Sequence, residues 1–421
     1  MSSTLRCAHL VARYPEITSV FVQHEVRALR ELGAEVHTVS IRRQDPREVI
    51  SPQAEREQES THALLPTTAP RLLGAHARAF AAAPGAYLRT LAHALRLGPG
   101  GSRNRLWQLF YFAESMLLWH HLSGLGVRHV HVHFANVASD VAMLCTRFAN
   151  AADARGGWTW SLTIHGPTEL LDMKAHKLAD KVRAADAVVC TSDFVRSQLM
   201  GLVGPADWHR LHTLRSGIDL GLFHPPAEER PDARRVEILD VAGMSARKGH
   251  AILLEALAEV ERRGANFGAL LVGDGPERPG LEAYAEQLGI ADRVYFAGAL
   301  GQHILPELYR QADVFCLPSY AEGVPTVLME AMASELPVVT THVMGVPELV
   351  EHGRSGFLVP PARADLLADE LWRLVTDREL RLRIGRAARE RVESGFDLRD
   401  SVAALERLLS GVANRPGPVL Q

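Results

Sequence analysis

The chain runs twice through the same alternation of short apolar runs and helical periods, and this repetition constrains its fold more than any single motif. In the first pass, residues 5–11 read as a strand, 19–33 as a helix ending at Gly33, and 34–41 as a strand. Strand–helix–strand order implies a parallel sheet with crossovers on its faces. Strands continue at 127–134, 158–164, 187–191 and 212–214, with helices at 108–122, 137–150 and 194–201. Residues 221–235 carry proline and charge without periodicity, as a linker does. The pattern then restarts with strands at 236–242, 267–272, 294–297, 314–317, 338–340 and 357–359. Helices fall between them at 250–262, 279–288 and 306–311, and a helical tail follows from 364 to about 409. The expected fold class is α/β, with two doubly wound, Rossmann-like lobes facing across a cleft into which parallel-strand ends aim ligand sites. The expected organisation is a first lobe over 1–215, a linker over 216–235, a second lobe over 236–390, and a C-terminal helix and tail over 391–421.

Two glutamates eight positions apart, Glu322 and Glu330, carry the strongest chemical signal. The strand before them ends at Pro318-Ser319, and a helix of good formers follows over 326–334. Glu322 therefore sits near a helix start, where unpaired N–H groups suit an anionic or hydroxyl-rich ligand, and Glu330 lies two turns in. A second signal is Ser245-Ala246-Arg247-Lys248-Gly249-His250, which follows a strand and opens a helix. Two cations beside a glycine at a helix mouth make a diphosphate cradle, although a solvated turn reads the same way. Gly273-Asp274-Gly275-Pro276 ends another strand as a tight turn.

Composition bounds the function. The chain has 421 residues, a formal net charge of −3, 47% hydrophobic and 23% charged residues, which fits two globular domains and gives no basic surplus for nucleic acid. No apolar stretch has transmembrane length and the first residues lack a signal-peptide core, so a cytoplasmic protein is expected. Cys7, Cys145, Cys190 and Cys316 are far apart in apolar surroundings and read as small buried hydrophobes. Charge is unevenly spread: residues 1–215 hold 24 Lys+Arg against 18 Asp+Glu. Residues 60–113 contain no acid but six arginines (71, 78, 89, 96, 103 and 105) among leucines and aromatics. Such a stretch suits either peripheral contact with the inner membrane face or an ordinary helical insertion with a solvated Arg face.

Together the Glu pair, the Arg-Lys-Gly loop and the Gly-Asp-Gly-Pro turn resemble family 4 retaining glycosyltransferases of the GT-B fold. The resemblance spans roughly residues 10–390 and is densest over 236–360. It implies that Lys248 and Arg247 grip a nucleotide diphosphate, that Glu330 holds the ribose hydroxyls, and that Glu322 stands by the transferred sugar and its leaving phosphate. Gly323, Val324 and Thr326 would offer N–H groups to the donor, and Gly273 and Gly275 would line its nucleotide side. In Thr163-Ile164-His165-Gly166-Pro167-Thr168-Glu169 the family's His-Gly loop is matched, so His165 is expected to position the donor sugar rather than act as a general base. Glu169 and Asp172 are expected to meet a polyhydroxylated or cationic acceptor, or else to cap a helix. Ser19, in the loop after the first strand, is a further candidate acceptor contact.

The chain also departs from the family. Met244 stands where relatives often carry arginine, and Met344 replaces the first glycine of a Gly-Gly-x-Pro-Glu loop ending at Glu348. Residues 18–21 read Thr-Ser-Val-Phe where relatives show glycines or Ser-Glu-Thr-Phe. His129, His131 and His133 alternate on one strand face, but no carboxylate or cysteine cluster near them in sequence supports a metal site. No Asp-x-Asp triplet occurs, so fixed cations and helix dipoles are expected to stabilise the leaving group, without metal or cofactor.

The implied reaction is retaining transfer from a nucleotide-sugar donor, UDP-N-acetylglucosamine by preference, to a hydroxyl acceptor. His165–Glu169 and Arg196–Met200 resemble two subgroups. One glycosylates 2-deoxystreptamine in aminoglycoside antibiotic biosynthesis, which the acids beside His165 favour. The other builds exopolysaccharide on a lipid-diphosphate-linked saccharide, which residues 60–113 favour. A catalytically silent sugar-nucleotide-binding partner and a nucleotide-sugar epimerase are the remaining alternatives.

Overall fold

The computed structural model describes residues 4–16, 20–46, 49, 51–97, 101–153, 156–227 and 235–414. The chain divides into two compact units, Met1–Leu214 with Val402–Gln421, and Arg215–Ser401. The division falls at Val402, within the C-terminal helix, where Val402, Leu405, Leu409 and Val412 are buried.

The first unit opens with β1 (Arg6–Tyr14), α1 (Val20–Glu31), β2 (Glu35–Arg43), α2 (Pro52–Ser60) and β3 (His62–Leu65). Three helices follow without a strand: α3 (Ala69–Ala82), α4 (Pro84–Arg96) and the 24-residue α5 (Ser102–Leu125). Then come β4 (His129–His133), α6 (Val137–Ala152), β5 (Thr159–Ile164), α7 (Pro167–Leu171) and α8 (Leu178–Ala184). The unit's strands close with β6 (Ala187–Cys190), α9 (Asp193–Leu202) and β7 (Leu211–Thr213). All seven strands pair in parallel in the order β3-β2-β1-β4-β5-β6-β7.

The second unit runs β8 (Val236–Val241), α10 (His250–Arg262), β9 (Phe267–Val272), α11 (Arg278–Gln287), β10 (Val294–Gly298) and α12 (Leu305–Gln311). It continues with β11 (Val314–Leu317), α13 (Thr326–Ala333), β12 (Val338–Thr341) and β13 (Phe357–Val359). The expected helical tail consists of three helices: α14 (Ala364–Thr376), α15 (Arg378–Glu393) and α16 (Leu398–Ala413). The break is local, since the Asp377 side chain accepts from Leu380 N and starts a new helix. This sheet is also parallel, in the order β10-β9-β8-β11-β12-β13. One of its faces buries Leu253, Leu257, Leu371 and Leu374, and the other buries Tyr309, Met329, Met332 and Val392. Ile238 and Leu239 of β8 point to opposite cores, as the two-residue period requires.

Both sheets grow outward from their first strand in opposite directions, so strand order reverses between β1 and β4 and again between β8 and β11. Loops leaving the carboxyl ends of those strand pairs diverge, which leaves room for a ligand in each unit. All four cysteines are buried and free, and burial pushes the Cys7 and Cys190 thiols up to about 12. Among the described residues no helix is long and apolar enough to cross a membrane.

Two glycines within helices separate propensity from packing. At Gly385, in α15, an added Cβ would meet Glu335 O at 2.1 Å, whereas at exposed Gly74, in α3, it would meet nothing within 4 Å. Gly74→Ala is expected to stabilise the protein by about 0.5–1 kcal/mol through helix propensity. Gly385→Ala should destabilise it by about 1–3 kcal/mol, because overpacking against a backbone carbonyl outweighs the same propensity term. Denaturant midpoints of the two variants check the opposite signs.

Candidate active site

In the second unit, residues 242–249 leave β8 and residues 318–325 leave β11, on either side of the point where strand order reverses. The two loops are locked together at Gly249. Its φ is +71°, and a Cβ there would lie 2.2 Å from Pro318 O, so a side chain at this position would force the loops apart. Tyr320 N donates to Arg247 O at 2.8 Å, and Arg247 Nη1 donates to Ala321 O at 2.7 Å. On this frame Lys248 Nζ meets Glu322 Oε1 at 2.6 Å, and Arg247 Nη1 lies 3.5 Å from Glu322 Oε2. Glu322 is only 6% exposed, so the pairing is sheltered from solvent screening. Two cations share one carboxylate, which leaves a net positive charge that a phosphate can neutralise with charge-assisted hydrogen bonds.

Glu330 projects from the second turn of α13 and is 4% exposed. Its Oε2 accepts from Tyr309 Oη at 2.7 Å, and burial pushes its carboxyl up to about 7 against the opposing pull of that bond. Thr326 opens the same helix and Val324 is half-buried beside it, while Gly323 is buried. Gly273 has φ +144°, and a Cβ on it would sit 1.9 Å from Ala242 O; one on Gly275 would sit 2.3 Å from Met244 O. These glycines bring the turn after β9 onto the loop after β8, where Met244 N donates to Asp274 O at 2.9 Å. Met244 itself is buried in the core, so Arg247 is the guanidinium this loop presents.

Two supports of this site escaped the sequence reading. Tyr309 has no spacing signal that ties it to Glu330, because it comes from α12 and packs between Phe223 and Phe315. His250 opens α10, and its Nε2 lies 3.0 Å from Asp240 Oδ2 on β8, both residues being buried. Their alternation with apolar neighbours made them look like ordinary strand and helix positions.

In the first unit His165 follows β5, its ring between Phe21 and Phe134 with centroids 4.6 Å from each. His165 Nε2 lies 3.1 Å from His133 Nδ1, and burial holds the His165 imidazole well below its usual range, hence neutral. A neutral, doubly packed ring is suited to positioning a ligand rather than to taking up a proton. Glu169 takes the capping alternative: as the third residue of α7 its side chain accepts from the N–H of Gly166, the residue that precedes the helix. It is buried and its two oxygens accept from Ala135 N at 2.7 Å, His165 N at 2.9 Å and Gly166 N at 3.1 Å. The carboxylate is occupied by the loop itself, which it closes, and is not presented to an acceptor. Asp172 is exposed and accepts from Ala175 N at 3.0 Å in the turn after α7. Ser19 lies outside the described residues. Lys181, also missed, is buried and holds the loop after β4 by donating to Ala135 O at 2.8 Å and pairing with Asp140 at 3.0 Å. A cavity of about 680 Å³ on this unit, lined by Arg89, His93, Arg147, Trp158, Trp160 and Asp180 among others, contains none of the expected site residues.

The raised Glu330 carboxyl has a signed consequence. The folded state holds this proton more tightly than the unfolded chain, whose carboxyl titrates near 4.5. Its favourable contribution is complete below about 4.5 and is lost as pH rises through about 7, a penalty of up to about 3 kcal/mol above that. Glu330→Gln should therefore be more stable than the parent at about pH 8, with the difference vanishing toward about pH 4.5. Denaturant unfolding across that range checks this, and parallel stability curves would contradict it.

The chain resembles solved structures across its length. It matches sucrose-phosphate synthase from Thermosynechococcus elongatus with TM-score 0.72 and 22% identity, covering 97% of this chain and 99% of that one. It matches Anabaena HepE in complex with UDP-glucose with TM-score 0.69 and 17% identity, covering 97% and 100%. At these identities the likeness shows the fold, that of two Rossmann-like GT-B lobes. Among curated proteins, the alpha-D-kanosaminyltransferase of Streptomyces kanamyceticus is 37% identical over 215 residues, 49% of this chain and 55% of that protein. A putative colanic acid biosynthesis glycosyltransferase, WcaL of Escherichia coli K12, is 34% identical over 238 residues, 54% and 57%. A GDP-mannose-dependent alpha-(1-6)-phosphatidylinositol monomannoside mannosyltransferase of Mycobacterium tuberculosis is 31% identical over 240 residues, 54% and 62%. The matches thus span between 55% and 62% of these relatives' own lengths. Residues 226–391, which contain the Lys248, Glu322 and Glu330 constellation, match the family model for glycosyl transferases group 1.

Proposed function

We propose that this protein transfers a sugar from a nucleoside-diphosphate donor to an acceptor hydroxyl. The observation that carries the reading is the Lys248–Glu322–Arg247 cluster on glycine-locked loops, with buried Glu330 one helix away. The group 1 family match over the same residues supports it. Lys248 and Arg247 bind the diphosphate and, as fixed cations, stabilise the charge that develops on it as the sugar leaves. Glu330 receives the ribose hydroxyls and Glu322 the sugar side of the donor. Transfer proceeds with retention at the anomeric carbon, and the departing diphosphate takes the acceptor's proton. UDP-N-acetylglucosamine is the proposed donor, and cytoplasmic action follows from it.

Two acceptor readings have separate support. An aminocyclitol such as 2-deoxystreptamine is supported by the likeness to the kanosaminyltransferase. With Glu169 turned into its own loop, however, one of the acids that favoured a cationic acceptor is withdrawn. A lipid-diphosphate saccharide is supported by the surface of α3, α4 and α5. There Leu73, Phe80, Leu88, Leu106, Trp107 and Phe110 are exposed on a stretch whose only charges before Glu114 are arginines. Apolar side chains beside arginines suit the face of an anionic bilayer.

The test is mass spectrometry of products from a panel of sugar nucleotides with either acceptor. One N-acetylhexosamine added to 2-deoxystreptamine supports the first reading, and transfer confined to the lipid-linked acceptor supports the second. Donor isomerised without acceptor would mark an epimerase, and donor bound but unchanged would mark a silent partner. Lys248→Ala and Glu330→Ala are each expected to lower kcat/KM by about 10²–10³ with unchanged circular dichroism. Unaltered kinetics in both would remove the site.

A further inference from the structure

Next to His165, the first unit contains three buried histidines and a half-buried glutamate to which the proposed glycosyl transfer assigns no role. His9 of β1 and His131 of β4 are direct partners in the parallel ladder, so they stand side by side on one face of the sheet. His133 lies on the same face two residues on, and α1 supplies Glu25 to it. We propose that His9, Glu25, His131 and His133 form a four-ligand site for a divalent transition-metal ion of the zinc class. The proposal does not depend on the reading of the second unit as a donor site.

Geometry is the first support. One ligand atom from each residue lies within 4.8 Å of all the others. From Glu25 Oε1 the distances are 3.1 Å to His133 Nε2, 3.8 Å to His9 Nδ1 and 3.8 Å to His131 Nε2. Around a tetrahedral ion with bonds near 2.0–2.1 Å, ligand atoms stand about 3.3 Å apart, so a contraction of tenths of an ångström to somewhat over one closes the set. The three imidazole centroids, 4.8, 4.9 and 5.6 Å apart, already converge from different directions.

Unsatisfied atoms are the second. Both nitrogens of His9, Nε2 of His133 and Oε1 of Glu25 are buried without a hydrogen-bond partner, and His9 is 1% exposed. Buried polar atoms seldom lack partners, and three of these, His9 Nδ1, His133 Nε2 and Glu25 Oε1, converge on one point, which indicates a group they jointly hold.

Outer contacts orient the ligands in the way metal sites require. His131 Nδ1 is bonded to Ser161 Oγ at 2.8 Å and His133 Nδ1 to His165 Nε2 at 3.1 Å, which leaves each Nε2 for the centre. Thr163 Oγ1, 3.1 Å from His131 Nε2, is the neighbour that must rotate aside. Four protein ligands leave no open position, which is the pattern of a structural ion. It would tie β1, β4 and α1 together and, through His133, fix the ring of His165. The competing occupant is a proton: one imidazolium paired with Glu25.

The full chain, produced without a histidine tag and purified without chelator, distinguishes these. About one zinc-class ion per chain is expected to survive gel filtration. After chelation, cobalt(II) should bind stoichiometrically with the intense visible absorption of a tetrahedral site, and His131→Ala and Glu25→Gln should each abolish it. X-ray absorption of the wild-type zinc or cobalt form needs no variant to fold, and should report three imidazoles and one carboxylate at about 2.0–2.1 Å. No retained metal together with no cobalt spectrum, binding that persists in both variants, or a coordination shell without three imidazoles would each overturn the proposal.

Discussion

The second unit depends on the close approach of two loops that leave adjacent parallel strands. Gly249 against Pro318 O sets that approach, and the Arg247 contacts to Tyr320 and Ala321 hold it. Everything chemical in the unit follows from this spacing. It brings a lysine from residues after β8 within 2.6 Å of a glutamate from residues after β11, seventy-four positions later in the chain. Since the sheet order reverses between those strands, the pair sits where an open parallel sheet has room for a ligand. The buried Asp240–His250 pair anchors the same junction from below, joining β8 to the first residue of α10.

The first unit uses the same topology with different chemistry. The corresponding strand pair, β1 and β4, carries His9, His129, His131 and His133, and β5 faces them with Thr159, Ser161 and Thr163. A polar stripe inside a parallel sheet is costly unless every atom finds a partner. Most do: His129 bonds Thr159 and Ser161, and Lys181 caps the carbonyls after β4. The orphaned atoms concentrate at His9, His133 and Glu25, which is why the metal inference falls there. Glu169 and Lys181 together fix the loops after β4 and β5, so the position of His165 is set by buried charge.

The strands of both sheets were legible because parallel strands buried on both faces read as short apolar runs, and the alternation with helices gave their direction. What was illegible was local or distant in sequence. β3 is four residues at a sheet edge, too short for periodicity, and α2 before it is polar. The arginine-rich stretch was visible as amphipathic, but its division into α3, α4 and α5 rests on prolines and on packing against buried Ala75, Ala79 and Ala94. At the sites, Lys248, Arg247 and Glu322 could be read because each falls within a few residues of a strand end. Glu169 was read as either a ligand residue or a cap, and the partner that could not be seen from its neighbours is the N–H of Ala135, after β4. Similarly, the carboxylate that the His129–His133 alternation lacked is Glu25, brought to it only by the fold.

In the proposed function, the Lys248 ammonium, held by Glu322, is poised for a nucleoside diphosphate. Calorimetric titration with UDP and with uridine, on the parent and on Lys248→Met, tests it most directly. A charge-assisted contact to phosphate should make UDP bind the parent about 10–100-fold more tightly than the variant, while uridine does not distinguish the two. Equal UDP affinities in two folded proteins would mean that Lys248 does not hold the diphosphate.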